Sequence, residues 1–401
     1  MSDPRLPLDG VVVLDLTRIL AGPYSTQILG DMGATVWKVE RPGSGDDTRA
    51  WGPHGKNGQT AYFLSVNRNK RSIAVDLKAA DGKAVIRRLA AKADVVVENF
   101  PPGKLDALGL GFDVLRADNP RLVMTSITAF GQEGPLSGEP GYDLVAQGYG
   151  GIMALTGPVE GPPYRVGVPI VDLTTGMNAA LGTLLALRAA ERDGVGQRVD
   201  ISLFNTHLSW LANVAGNALM SGEPSPRLGN AHPNVAPYEP VPSSDGWLLL
   251  AVGNDGQWER LLELPEFAAL RPRTEWATNN ARVLDRAAMI EALAPIFATR
   301  PRDEWIARLK AIRVPAGPIQ RPDEALRCEQ TEATDMVVAI DHPTVGTYET
   351  VATPYRLDRT TVTEYAPAPL LGADTDGVLA EALGMGADEI AALRDGGALG
   401  G

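Results

Sequence analysis

Only one cysteine, Cys328, occurs in 401 residues, so no internal disulfide can form and a reducing compartment is expected. With no histidine suitably placed beside it, Cys328 reads as a packed or idle thiol. The four histidines, His54, His207, His232 and His342, show neither HxxxH nor HExxH spacing, and no metal site is assigned. Basic residues are short as well. Lys and Arg number 37 against 49 Asp and Glu, a net charge of −12. That balance argues against nucleic acid or an anionic membrane as the main partner, while leaving room for a local basic patch facing a small phosphorylated ligand. No apolar run approaches the roughly 20 residues that cross a bilayer, and the opening MSDPRLPLDG is unlike a signal peptide. A soluble, cytoplasmic protein is expected. Nucleotide fingerprints are missing too: no GxGxxG follows a strand, and no GxxxxGK[ST] exists.

What is present is enough apolar residue, 44%, to fill the cores of two domains. Short β-branched runs alternate with amphipathic stretches through the first half: VVVLDLT, ATVWKVE, RSIAVDL, DVVVENF and RLVMTSITAFG as strands, PYSTQILGDMG and AADGKAVIRRLAAKA as helices. This repetition predicts an α/β fold, a parallel sheet covered on both faces, with ligands at the carboxyl ends of its strands. The segment GVPIVDLTTGMNAALG places Asp172 where an apolar strand gives way to a helix. QRVDISL follows as a strand, then a long helix through Trp210 and Asn213. The reading divides the chain into 1–220 as the first part of a large domain, 221–245 as a Pro- and Asn-rich linker or active-site loop, 246–316 as a small domain, and 317–401 as a return segment. That last part holds a hairpin (MVVAIDHPTVGTYETVATPYRL) and a helical tail that completes the large domain.

Asp172 has two readings. An Asp opening a helix, followed by Thr174 and Thr175, is most often an N-cap. A carboxylate beside unpaired helix N–H groups also has its charged form favoured, and is expected to stay ionised as a nucleophile.

The blocks LDLTRILAGPYSTQILGDMGATVWKVERPGSGDDTR, NKRSIAVDLK, ADVVVENFPPGKLDALGLG, GYDLVAQGYGG and APAPLLGADTDGVL, in this order and across nearly the whole chain, resemble the class III coenzyme A transferases, the CaiB/BaiF family. The resemblance implies an interlocked homodimer whose Rossmann-like large domain is built from both chain ends, and coenzyme A thioesters as substrates with no permanently bound cofactor. It places the catalytic aspartate on Asp172, an active-site tyrosine on Tyr142 and an acidic neighbour on Asp143, with Gln147 in the same stretch. For coenzyme A it implies Ile19 and Leu20 beside the thioester or pantetheine, Arg41 and Lys78 toward phosphate, Val75 packing near adenine, and Asn99 and Phe100 lining the channel. Arg41 and Lys78 are equally readable as solvated surface charges. Arginines that many relatives carry after VENF are replaced here by Pro101 and Ala107, with Lys104 the cation left between them; Asp374 replaces a histidine and is expected to touch only structure.

An aspartate suits the chemistry, because its attack on an acyl-CoA gives a mixed anhydride that stays activated. Residues 148–151, with Gly150 and Gly151, and the backbone after Asp172 are candidate oxyanion donors, or plain turn residues. Residues 228–239 form a cover or a linker, and His232 is a candidate holder of the acceptor acid. The expected reaction is transfer of coenzyme A between small (di)carboxylic acids, with a succinyl-CoA-type donor. The alternatives are an α-methylacyl-CoA racemase, disfavoured because Tyr142 stands where that branch has a histidine and a tyrosine is a poor base, and a non-catalytic acyl-CoA binder.

Overall fold

The computed structural model describes residues 5–400. Contacts divide the chain into two units: residues up to 150, Gly167–Trp210 and everything from Glu329 onward in one, Gly151–Val166 and Leu211–Cys328 in the other. The divisions thus fall at 210 and 328 rather than at 220 and 316, and 151–166 belongs with the second unit. The helix expected to run through Trp210 is broken there. It stops at Trp210, and a new helix, Ala212–Ser221, begins with Ala212 at φ 39°.

The first unit holds a six-stranded parallel sheet: β1 (Val12–Asp15), β2 (Thr35–Glu40), β3 (Lys70–Ala74), β4 (Val95–Glu98), β5 (Val123–Thr128) and β6 (Arg198–Ser202). Their spatial order is 3-2-1-4-5-6, the doubly wound arrangement in which the strand order reverses between β1 and β4. Alternate residues fill opposite faces, as a period of two requires. Leu14, Trp37, Ile73, Val96 and Met124 pack on one side with α2 (Ala80–Ala90) and α3 (Phe112–Asp118). Val13, Val36, Val95, Val97 and Val123 pack on the other with α1 (Ala21–Asp31), α4 (Asp143–Tyr149) and α5 (Ile170–Asp193).

The chain's end completes the first face. Helices α7 (Thr375–Leu383) and α8 (Ala387–Asp395), named after α6 (Leu203–Trp210), bury Val378, Leu379 and Ile390 against the sheet. Edge strand β3 is tied to this tail: Ser72 N donates to Asp374 Oδ2 at 2.9 Å, and Val75 bridges to Leu399. Asp374 is accordingly a structural partner.

Helix α5 is long and apolar enough to cross a membrane by length and composition, which the sequence reading had not anticipated. Its buried face is made of small residues, Gly176, Ala179, Ala180, Thr183, Ala186 and Ala190. They let it lie close on α1: a Cβ at Gly176 would sit 2.6 Å from the Ala21 carbonyl oxygen.

In the second unit, Tyr238–Ser243, Gly246–Ala251 and Ala316–Pro318 form an antiparallel sheet around which Trp258, Phe267, Trp276, Phe297 and Trp305 pack. Arg282, fully buried there, is satisfied by the carbonyls of Ala236, Trp276 and Ala277 and by Asp255.

Candidate active site

The crevice at the switch point is shaped by how the chain leaves β1. Residues 16–20 must turn sharply before α1 begins. Ile19 takes φ 72°, a left-handed conformation that costs a β-branched residue on the order of 1–3 kcal/mol. Glycine is required close by, since a Cβ at Gly22 would lie 2.3 Å from Thr17 Cβ. The turn is held from both sides. Asn99, just after β4, accepts from Arg18 N at 2.9 Å and donates to Arg18 O at 2.7 Å. Asp46, after β2, accepts from Ile19 N at 3.3 Å.

Beneath it lies a sealed ionic network. Asp15 accepts from Lys70 Nζ at 3.1 Å and Thr26 Oγ1 at 2.6 Å, and Lys38 Nζ donates to Asp46 Oδ2 at 3.0 Å and Thr17 O at 3.1 Å. Burial opposes ionisation of Asp15, but Lys70, Lys38 and the Thr17 and Thr26 hydroxyls outweigh it and hold the carboxyl at about 2.

Above this network opens a cleft of about 300 Å³. Arg18, Ile19, Leu20 and Asp47 line it from the β1 and β2 loops, Asn99 to Pro102 from the β4 loop, Glu139 to Tyr142 from the approach to α4, and Asp172 from α5.

Asp172 does not follow a strand. It is the third residue of α5, whose N-cap position is Pro169. The capping task expected of Asp172 belongs instead to Asp143, whose Oδ1 accepts from Val171 N at 2.8 Å and Asp172 N at 3.1 Å. Leu173 N is engaged as well, by Pro169 O at 3.1 Å. The N–H groups expected to hold Asp172 ionised, or to stabilise an oxyanion, are therefore occupied. Burial first, and the Asp143 charge second, push the Asp172 carboxyl up to about 7. Near neutral pH it is divided between acid and carboxylate, not fixed as the anion.

The remaining expected residues fall in different places. Tyr142 lines the cleft from the N-cap position of α4 and is 64% exposed. Asp143 also accepts from Gln147 Nε2 at 2.5 Å. Phe100 lines the cleft, and the Arg18 guanidinium lies 6.0 Å from its ring centroid. Arg41 is exposed and pairs with Asp47 at 2.5 Å. Val75 is sealed in the core and contributes packing rather than an adenine contact. Lys78 and Lys104 are exposed, the latter opening a short helix, and neither lines the cleft. Gly150 lies under the His207 ring, its N–H bonded to Ala146 O, and a Cβ there would stand 2.5 Å from the ring. Gly151, at φ 96°, starts the next short helix. These two glycines serve close packing and chain reversal. His232 belongs to the second unit, its ring tilted 60° against Tyr238 with centroids 5.3 Å apart and its Nδ1 accepting from Asn234 N at 3.1 Å.

Three charged cleft residues and one neighbour went unassigned in the sequence. Arg18, Asp47 and Glu139 line the cleft. Tyr62, set edge-on to Trp51 at 5.3 Å, is pushed up to about 12 by burial and by the charges of Asp172, Asp143 and Asp46, and so keeps its proton beside the two carboxyls. Arg18 and Asp47 sit inside the quoted opening block, where polar residues after strand ends were a readable signal. Tyr62, in an apolar helical stretch, gave none.

Residues 8–375 match the model of CoA-transferase family III. A succinate–glutarate CoA-transferase of Agrobacterium fabrum is 41% identical over 387 residues, 95% of this chain and 97% of that one. The succinyl-CoA:glutarate CoA-transferase of Mus musculus is 40% identical, covering 95% and 87%. Among solved structures, a CaiB/BaiF family protein from Brucella suis superposes with a TM-score of 0.83 at 42% identity, covering 94% of this chain and all of that one. With a switch-point cleft, an aspartate in it whose carboxyl is pushed upward, and these relatives in agreement over nearly the full length, the chain belongs to CoA-transferase family III and is a CoA-transferase.

Proposed function

We propose that the protein moves coenzyme A from succinyl-CoA, or a similar small dicarboxylyl donor, to a second dicarboxylic acid such as glutarate, with Asp172 as the covalent carrier. One observation carries the mechanism: Asp172 is a cleft-lining carboxyl whose neighbours include a second carboxylate and no cation that lowers its pKa. Its ionised form is destabilised, and forming a neutral acyl derivative relieves the conflict with Asp143. In the first step the Asp172 carboxylate attacks the thioester carbonyl, giving a mixed anhydride and coenzyme A thiolate. The thiolate then attacks the aspartyl carbonyl, forming an aspartyl thioester and releasing the donor acid. The acceptor carboxylate attacks that thioester, giving a new anhydride and thiolate. Attack of the thiolate on the acceptor acyl carbonyl yields the new acyl-CoA and restores Asp172. The substrate pair comes from the names of the relatives, which act on succinate, glutarate and their thioesters. Tyr142, at the cleft wall, is assigned to the acyl end, and Ile19, Leu20 and Phe100 to the pantetheine arm.

The same reading makes the protein a cytoplasmic homodimer. In support, α5 and α6 expose Met177, Leu181, Leu185, Leu208 and Trp210, each more than 40% accessible, a density of surface apolar groups that calls for a cover.

The deciding experiment incubates the enzyme with succinyl-CoA and hydroxylamine during turnover with glutarate, then analyses the peptide containing Asp172 by mass. A hydroxamate on Asp172, and ¹⁸O passing from labelled acid into that carboxyl, are expected. Exchange without either mark refutes the covalent carrier, and α-deuteration of an acyl-CoA without acid exchange would indicate racemisation instead.

A further inference from the structure

At the outer edge of the cleft, two guanidinium groups share one carboxylate. Arg18 Nη1 meets Asp47 Oδ2 at 3.0 Å, and Arg41 Nη2 meets Asp47 Oδ1 at 2.5 Å. Each oxygen of Asp47 thus serves a different arginine, the bridging arrangement that a phosphate group makes between two such side chains. The three side chains come from two different loops, Arg18 from the exit of β1, Arg41 and Asp47 from the exit of β2. Both loops are anchored from below: Arg18 through its backbone bonds to Asn99, and the β2 loop through Asp46, which accepts from Lys38 Nζ and Thr48 N.

The two neighbouring aspartates therefore divide the labour. Asp46 is 1% exposed and fastened to the frame, whereas the side chain of Asp47 is 38% exposed and fastened only at its charged end. Its partners are open to water as well, at 37% for Arg18 and 54% for Arg41. Ion pairs this exposed are weak and exchange readily.

We propose that Asp47 is a resident stand-in for phosphate. It holds Arg18 and Arg41 at phosphate spacing in the free enzyme, and a phosphate of the arriving coenzyme A thioester displaces it. This rests on the reading that an acyl-CoA enters this cleft. It adds Arg18 as the second arm of the clamp and gives Asp47 a role in selectivity. Each carboxylate group carries one charge and a terminal phosphate nearly two on a single centre, so phosphate displaces Asp47 where either carboxylate of a free dicarboxylic acid does not. The acids that are the enzyme's own substrates and products are thereby kept from occupying the mouth as inhibitors. Without Asp47 the two guanidinium groups would present two uncompensated charges to any small anion.

The test compares the full-length wild type with Asp47→Asn and Arg18→Gln, measuring coenzyme A binding calorimetrically and inhibition of turnover by inorganic pyrophosphate and by free glutarate. Removing the internal competitor should tighten coenzyme A binding in Asp47→Asn by roughly three- to tenfold. It should also make pyrophosphate and glutarate inhibitory at proportionately lower concentrations. Arg18→Gln should weaken coenzyme A binding by roughly tenfold and reduce its sensitivity to added salt. If Asp47→Asn binds coenzyme A more weakly, or equally with no new sensitivity to anions, Asp47 only orders the arginines and the proposal is wrong. If Arg18→Gln binds coenzyme A as the wild type does, the clamp is not a phosphate site. Neither failure touches the Asp172 labelling result, which stands or falls with the wild-type enzyme alone.

Discussion

Two carboxyl groups, Asp15 buried and Asp172 half-buried, serve the same crevice and are treated in opposite ways. Asp15, at the end of β1, is surrounded by Lys70, Lys38 and two threonine hydroxyls, and is held at about 2. Asp172, on the first turn of α5, has a like charge for company and stands at about 7. Burial penalises both anions. What differs is whether the fold supplies compensation. Where it does, the carboxylate is a fixed strut that keeps the strained turn at Ile19 in place. Where it withholds it, the group is left with a reason to react. The contrast is one of compensation: one carboxylate is paired with cations and hydroxyls, and the other is left beside a like charge.

The sharpest test of that contrast is Asp172→Asn. Turnover should fall by at least about 10³-fold, because an amide cannot carry the acyl group in the same way. The same change should strengthen the fold. The folded-state pKa of about 7 lies above the ordinary carboxyl value of 3.8. Between those values the native chain keeps a proton that the unfolded chain has lost, so wild-type stability falls as pH rises from 4 to 7 and then levels off. The variant is free of this penalty. Its advantage in urea unfolding should be near zero at pH 4 and reach up to about 4 kcal/mol at pH 8. An advantage that does not grow with pH would place Asp172 among the compensated carboxylates.

Lys70→Met probes the other side. Asp15 would lose its nearest cation in a site closed to water, and the fold should weaken by about 3–5 kcal/mol, read by urea unfolding at pH 7. Adding Asp15→Asn to the same chain should recover part of that loss, since the unpaired charge is then gone.

How much of this was readable beforehand follows from which interactions are local. The strands announced themselves through β-branched runs, and the carboxyl-end rule pointed to the loops after LDLT, KVE, VDL and VENF; the first, second and fourth line the crevice, and the loop after VDL does not. The place of Asp172 at the crevice was legible, but its ionisation state was not. Helix-end reasoning made it a stabilised anion, because the sequence cannot show that Asp143, 29 residues earlier, occupies the N–H groups of Val171 and Asp172. Val75 was misread for a similar reason. Its partner Leu399 is more than 300 residues away, and only the return of the tail to β3 buries it. The break after Trp210 had no proline to signal it.

The finest test concerns Asp143, which both caps α5 and repels Asp172. Asp143→Asn separates the two roles, because an amide oxygen still accepts from Val171 N and Asp172 N while the charge disappears. The value of kcat/KM reports ionisations of the free enzyme. In the wild type it should rise with pH and level off with a midpoint at about 7, as Asp172 becomes the attacking carboxylate. In Asp143→Asn the midpoint should move down by about one unit, and not all the way to the usual carboxylate range, since burial is the larger of the two causes. Asp143→Ala should do more harm at every pH, because it also uncaps the helix. An unchanged midpoint in Asp143→Asn would mean that the two carboxyls do not sense each other, and burial alone would then have to account for the difference between Asp172 and Asp15.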